Sequence, residues 1–276
     1  MSAAIKKAIL CILVLFLLIV SLFPLVWSIC GSFKSSSEMY AYPYDFLPKS
    51  PTLVNFKTLF NISNFLNCLK NSIFVSLLAT FASLVISCLA SYSLTRFSYP
   101  GARLLKRLMM ESYMIPSILL ILPIYSFITN IGLRDNLWAY ALMVLSTTLP
   151  FCLWLFNSYF AGITPDFEEA AMVDGETRFM AFYKIVLPML TPAIVAVGIQ
   201  AFILVWNDLL FAKILLSSEN NRTLPLVISS MFAQDQVYPW GVILAGTMVA
   251  TVPVLFMFVF GVDKLIGGWS EGGVKG

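Results

Sequence analysis

Hydrophobic positions along this chain fall in long runs separated by short polar stretches, with no sustained alternation of apolar and polar residues. A helix that crosses a bilayer needs roughly 20 mostly apolar residues, because each backbone polar group must find its partner inside the segment. Six runs meet that condition: 8–29, 72–94, 108–128, 137–159, 189–210 and 242–266. They predict an all-α membrane protein of six transmembrane helices. Lys6 and Lys7 give the first run the outline of a signal peptide. It is longer than the usual apolar region of one and no small-x-small cleavage site follows, so a retained anchor is predicted.

Composition agrees with this pattern. The 276 residues are 59% hydrophobic and 11% charged, against about 25% charged in ordinary soluble domains. No histidine is present, which removes the usual proton shuttle near neutral pH and the commonest metal ligand. The five cysteines (Cys11, Cys30, Cys68, Cys88, Cys152) form no C-x-x-C pair and read as packing residues, a Cys30–Cys68 disulfide being the alternative. A net charge of +3, dispersed along the chain, does not point to nucleic acid.

Charge placement sets the expected orientation. With the N-terminus inside, ten of the seventeen Lys and Arg fall on the cytoplasmic side: Lys6, Lys7, Arg96, Arg103, Lys106, Arg107, Arg178, Lys184, Lys264 and Lys275. Both termini are then cytoplasmic, and so is the loop between the fourth and fifth runs. The segments 31–71 and 217–240, rich in Pro, Asn, Tyr and Trp, become ordered extracytoplasmic surface. The expected organisation is a first helix with its outer segment (1–70), a transmembrane core (71–266) and a cytoplasmic tail (267–276).

The fourth loop, 164–188, is unusually polar for this chain. Thr164 can cap a helix, Pro165 suits its first turn, and Asp166 with Glu168 complements the helix dipole. Asp174 and Gly175 end that helix, glycine entering the left-handed conformation without steric cost. Thr177 caps a second helix in which Phe179, Phe182, Tyr183 and Val186 recur at helical spacing as one apolar face, and Pro188 closes it. On the first helix Phe167, Ala170 and Ala171 share a side suited to close approach, with Glu168 and Glu169 pointing elsewhere. As a physical object the loop is a two-armed helical hairpin, whose plainest role is a solvated connector.

Its spacing is more specific. Glu169, Ala170, Ala171, three residues, Gly175, nine residues, Ile185, one residue, Leu187 and Pro188 resemble the EAA loop, E-A-A-x3-G-x9-I-x-L-P, of the membrane subunits of binding-protein-dependent ABC importers. Seven fixed residues would coincide by chance on the order of once in a hundred million starts. The stretches "PYDFLPKSPTLVNFKTLF", "WNDLLFAKILLSSENNRTLPL" and "GGWSEGGVKG" are similar to the carbohydrate branch of that family, near the smaller maltose-type permease subunit. The resemblance implies a type I importer in the bacterial cytoplasmic membrane. In it a second homologous permease subunit, two ATP-binding subunits and an extracytoplasmic sugar-binding protein complete the assembly, in contact with membrane lipid. ATP and Mg would be held by the partner subunits, with no cofactor, metal or catalytic residue on this chain. The sequence indeed carries no G-x-x-x-x-G-K-[ST] segment to cradle phosphates. Glu169, Ala170, Ala171, Asp174, Gly175, Ile185, Leu187 and Pro188 would form the ATPase-coupling site.

Other polar residues within the runs are candidates for the substrate path: Gln200, Trp206, Asn207, Asp208 and Thr247. Each has a plainer reading. Asn207 and Asp208 can brace a helix end, and Gln200 and Thr247 can tie helices together. Glu111 can pair with Arg107 one turn before it. Pro116, Pro123, Pro192 and Pro253 mark bending points or ordinary membrane-helix prolines. A self-sufficient secondary transporter is the competing reading, and it predicts paired internal repeats and midplane carboxylates. Neither is evident.

Overall fold

The computed structural model describes residues 3–62, 64–233 and 239–272, and among them there is helix but no strand. Segments 234–238 of the predicted outer surface and 273–276 of the predicted tail lie outside the described residues. Along the chain the helices are α1 (Ala3–Ser32), α2 (Ser36–Met39), α3 (Val54–Asn61), α4 (Phe65–Arg96), α5 (Ala102–Ser112), α6 (Ser117–Asn130) and α7 (Leu137–Ala161). There follow α8 (Asp166–Val173), α9 (Arg178–Ala181), a π-helical turn (Phe182–Val186), α10 (Leu187–Met189), α11 (Thr191–Trp206), α12 (Leu210–Leu215), α13 (Leu224–Ser230) and α14 (Trp240–Gly272).

Five segments, 4–32, 65–96, 137–161, 191–215 and 240–262, are each long and apolar enough to cross a membrane. The predicted third span, 108–128, is not one rod. It is divided between α5 and α6, which meet at a bend of 102°. Pro116 stands at the break: it offers no N–H to the preceding turn and disfavours helical backbone in the residue before it, so α5 ends at Ser112, the non-helical Pro116 follows, and α6 starts at Ser117. Taken as one bent span, the pair brings the total to six.

The chain forms two compact units. In the first, residues 1–66 and 227–253, α1 has no burial along its hydrophobic window, as expected of a helix whose solvent is lipid. The Lys34 ammonium is fully buried here; it donates to the Asp45 carbonyl and lies 3.8 Å from the Tyr44 ring centroid. Asn55 Nδ2 donates to the carbonyls of Ser32 and Lys34 at 2.9 and 2.7 Å, tying α3 to the end of α1.

The second unit, residues 67–226 and 254–276, is organised around α4, α7 and α11. Ser72, Ser76, Thr80, Ser83, Ser87 and Ser91 recur every three or four residues of α4 and are all buried. Such a stripe of small side chains allows helices to pack closely in a membrane, where no hydrophobic effect drives them together. Ser91 Oγ donates to the Leu153 carbonyl of α7 at 3.3 Å and accepts from Asn157 Nδ2 at 3.3 Å. One apolar cluster gathers Val75, Tyr140, Val144, Val205 and Phe211, and another gathers Cys88, Cys152, Phe156, Phe160, Phe182, Val186 and Val197. Cys68, Cys88 and Cys152 are buried packing residues, and Cys30 and Cys68 are both free thiols, so the alternative disulfide is not formed.

At the end of this unit away from α8, segment 217–224 is held from two sides. Asn67 and Asn71 of α4 donate to the Asn220 carbonyl at 2.6 and 2.7 Å, and Ser72 Oγ accepts from Leu224 N at 2.7 Å. Asp135 Oδ1 accepts from the backbone N–H of Ser217 and Ser218 at 2.8 and 3.1 Å. Burial pushes the Asp135 carboxyl pKa upward, but hydrogen bonds from Ser218, Ser217 and Asn221 outweigh it and hold the pKa below its usual value. A depressed carboxyl pKa contributes stability above the unfolded value of about 3.9, and that contribution disappears as pH falls through the folded value. Hydrogen exchange corrected for its intrinsic pH dependence is therefore expected to find Ser217 and Ser218 protected at pH 5 and above and released in stronger acid. Asp135→Asn is expected to remove that transition.

Candidate functional site

The most chemically distinctive region is the two-armed loop between α7 and α11. Its first arm, α8, starts behind Pro165, whose carbonyl accepts from Glu168 N and Glu169 N at 2.9 and 3.0 Å. No side-chain cap closes this end, so the role predicted for Thr164 is not taken up. Asp166, Glu168 and Glu169 occupy the first turn, where negative charge complements the helix dipole. The other end closes as a Schellman motif: Gly175 N donates to Met172 O at 3.2 Å and Glu176 N to Ala171 O at 3.0 Å. Gly175 has φ +92, and a Cβ there would meet nothing within 4 Å, so the demand for glycine is purely conformational.

Thr177 caps the second arm as predicted, accepting from Met180 N at 3.3 Å. The predicted apolar face is only half right. Phe182 and Val186 are buried, but Phe179 and Tyr183 are 72% and 59% exposed. The π turn 182–186, in which Leu187 N reaches back to Phe182 O, adds a residue to the turn, and the buried face becomes Ala181, Phe182, Val186 and Leu190. Pro188 does not end the arm either. The widened turn lies immediately before it, where an α-helix would need a proline N–H and would crowd a carbonyl, and α10 continues through it.

Glu168 is the residue that sequence reasoning placed wrongly. Rather than pointing into solvent, it is buried against the end of α4. Arg96 Nε donates to Glu168 Oε1 at 2.6 Å, with the two side chains only 7% and 3% exposed. Tyr92 OH donates to Glu168 Oε2 at 2.8 Å, and Arg96 Nη2 donates to the Ile163 carbonyl at 2.7 Å. Tyr92 also packs on Phe182 of the second arm with ring centroids 4.5 Å apart, and on Phe160 at 5.9 Å. Tyr92 and Arg96 thus hold both arms and the end of α7. The expected grouping of Ala171 with Phe167 and Ala170 is corrected too: Ala171 is buried along with Glu168, one turn before it, while Phe167 and Ala170 are exposed. One signal was legible, Tyr92 and Arg96 being one helical turn apart at the end of a span.

The remaining loop residues divide into buried and presented groups. Ala171 is buried, whereas Glu169, Ala170, Asp174 and Gly175 are exposed, as are Phe167 and Val173. Between the arms lies a cavity of about 530 Å³ whose lining includes Asp166, Phe167, Ala170, Asp174, Lys184 and Ile185. Lys184 pairs with Glu176 across it at 2.6 Å. Leu187 and Phe182 instead line a wholly apolar cavity of about 380 Å³ with Leu84 and Ile194, and Pro188 is exposed.

The substrate-path candidates each have their own local surroundings. Asp208 Oδ2 accepts from Tyr140 OH at 2.8 Å and Ala212 N at 3.2 Å, bracing the junction of α11 and α12 against α7. Asn207 Nδ2 turns back to the Ile203 carbonyl at 3.0 Å. Trp206 is buried and stacks on Phe202. Gln200 is exposed on α11, and Thr247, exposed on α14, bonds its own helix at Ile243 O. Glu111 pairs with Arg107 at 2.6 Å.

The family model described as "Binding-protein-dependent transport system inner membrane component" matches residues 83–262, a span that includes the whole loop and its anchor on α4. The chain belongs to this family of transport-system membrane components. Among curated members, an inner membrane ABC transporter permease protein, YcjP, of Escherichia coli is 33% identical, over 96% of this chain and 95% of its own. The trehalose transport system permease protein SugB of Mycobacterium tuberculosis is 32% identical over 93% of each chain. In a crystal structure of a bacterial ABC transporter involved in import of the acidic polysaccharide alginate, one chain shares the fold with a TM-score of 0.81 at 19% identity, over 95% of this chain and 98% of its own.

In a permease of this family the buried pair is a strong test of what fixes the loop. Removing one partner leaves an uncompensated buried charge, so Arg96→Ala or Glu168→Ala is expected to cost about 3–5 kcal/mol in detergent-solubilised unfolding. The apolar double variant Arg96→Met/Glu168→Leu is expected to recover most of that loss. Equal destabilisation by the double variant would contradict a buried, desolvated pair.

Proposed function

We propose that this permease is the translocating subunit of an ATP-driven importer of an oligosaccharide or related carbohydrate, and that loop 164–188 couples it to a separate ATPase. The observation that carries the reading is the division of the loop. Glu168, Ala171, Phe182 and Val186 are fastened into the bundle, while Phe167, Glu169, Ala170 and Val173 are presented outward on a rigid, closed helix. A lever needs both properties, because a loosely attached arm would dissipate movement locally.

The trehalose specificity in the name of one relative supports a sugar as cargo. On this reading a second homologous permease subunit lines the path jointly, two ATP-binding subunits hold ATP and Mg, and an extracytoplasmic sugar-binding protein delivers the cargo. This chain is then non-enzymatic, its termini and loop 164–188 face the cytoplasm, and α8 seats in the ATPase surface. Glu169 makes the charged contact there, Ala170 permits close approach, and Gly175 sets the turn between the arms.

Reconstitution with the companion permease and ATP-binding subunits tests this. A β-branched residue at φ +92 is strongly disfavoured, and the left-handed conformation costs roughly 1–2 kcal/mol. Gly175→Val should therefore lower ATP-dependent sugar uptake about tenfold while basal ATP hydrolysis persists. Uptake that proceeds without any ATP-binding subunit, or that is indifferent to the substitution, would contradict the proposal.

A further inference from the structure

The corrected third span leaves α5 with a surface that neither the fold nor the transport reading uses. Its residues alternate in a pattern unlike the other long helices: Arg103, Lys106 and Arg107 on one flank, Leu104, Leu105 and Leu108 on another. At about 100° per residue, the centres of these flanks are well over a right angle apart around the helix. A third side, with Ala102, Met109 and Met110 half-buried, turns toward α7, and Lys106, also half-buried, stands at the boundary between that side and the basic flank. Leu104, Leu105 and Leu108 are 60%, 44% and 53% exposed, and among the described residues Arg107 pairs with Glu111 of its own helix.

The elbow that follows is also apolar and open: Tyr113, Met114 and Ile115 are 52%, 80% and 47% exposed. Beyond it α6 exposes Ile118, Leu119 and Leu122. Exposed apolar surface therefore continues from α5 through the elbow into α6, the more apolar half of the pair. Because the two halves meet at 102°, α5 runs along the membrane plane when α6 points into the membrane.

We infer that α5 is an interfacial helix that docks on anionic phospholipid, with Leu104, Leu105 and Leu108 seated at the acyl boundary and Arg103, Lys106 and Arg107 on the headgroups. Basic amphipathic helices bind interfaces through the sum of buried apolar area and attraction to anionic lipid. Continuity with α6 and the pairing of basic with apolar flanks select lipid over a protein partner as the occupant. The inference stands independently of coupling to an ATPase.

The test uses the full chain in its assembled transporter, in nanodiscs of phosphatidylcholine with or without phosphatidylglycerol. A nitroxide at Leu108→Cys in a cysteine-free background is expected to collide with oxygen and to be shielded from a water-soluble nickel chelate. One at Arg103→Cys should sit shallower. Retention of phosphatidylglycerol over phosphatidylcholine, read by native mass spectrometry, should fall by at least about tenfold in Arg103→Gln/Lys106→Gln/Arg107→Gln. A label at 108 shielded from both reagents would mean that a protein subunit covers the face. A label open to the nickel chelate would place α5 in water, and lipid retention unchanged in the triple variant would remove the headgroup contact. Any of these three results overturns the inference.

Discussion

A single buried ion pair, Arg96 with Glu168, fixes where the two-armed loop stands relative to the bundle. The pair is not a large source of stability, since desolvating two charges offsets most of their attraction. Its consequence is positional. A carboxylate that must find both the Arg96 guanidinium and the Tyr92 hydroxyl has essentially one place to go. Phe182 packing on Tyr92 then extends the same constraint to the second arm, and the Ile163 carbonyl extends it to the end of α7.

The helix that carries Arg96 gives the joint its reach. From Asn67 to Arg96, α4 is an uninterrupted rod of about 44 Å at 1.5 Å per residue. One end holds Glu168. The other holds the backbone of segment 220–224 through Asn67, Asn71 and Ser72. Between them the buried serine stripe lets the helix run close to its neighbours, and Ser91 is tied to α7 directly. On the proposed function, a displacement of the loop therefore has a stiff, polar-latched element on which to act.

What the sequence made legible follows from how local the physics was. Runs of apolar residues marked every membrane-crossing helix, and the turn at Gly175 and cap at Thr177 needed only nearest neighbours along the chain. The misplaced features depended on distant residues or on backbone irregularity. Glu168 looked like a dipole-complementing surface charge because its partners lie over seventy positions earlier. The face of the second arm was displaced by a π turn that helical periodicity does not encode. Pro116 was visible as a bending point, but its effect was a break, separating a basic amphipathic helix from the span it was expected to begin. Asp208 does brace a helix end, as one of its two readings had it; only the identity of its partner on another helix, Tyr140, is not encoded in spacing along one helix.

If the buried pair makes α8 and the end of α4 one body, the separation between them is constant while the transporter works. Nitroxides at Ser98→Cys and Val173→Cys, both exposed positions, report that separation by dipolar electron paramagnetic resonance in the assembled complex. One narrow distance, the same without nucleotide and with ATP trapped by vanadate, and broadened by Glu168→Ala, is the predicted result. A distance that changes by several ångströms between the two nucleotide states in the otherwise native chain would contradict it.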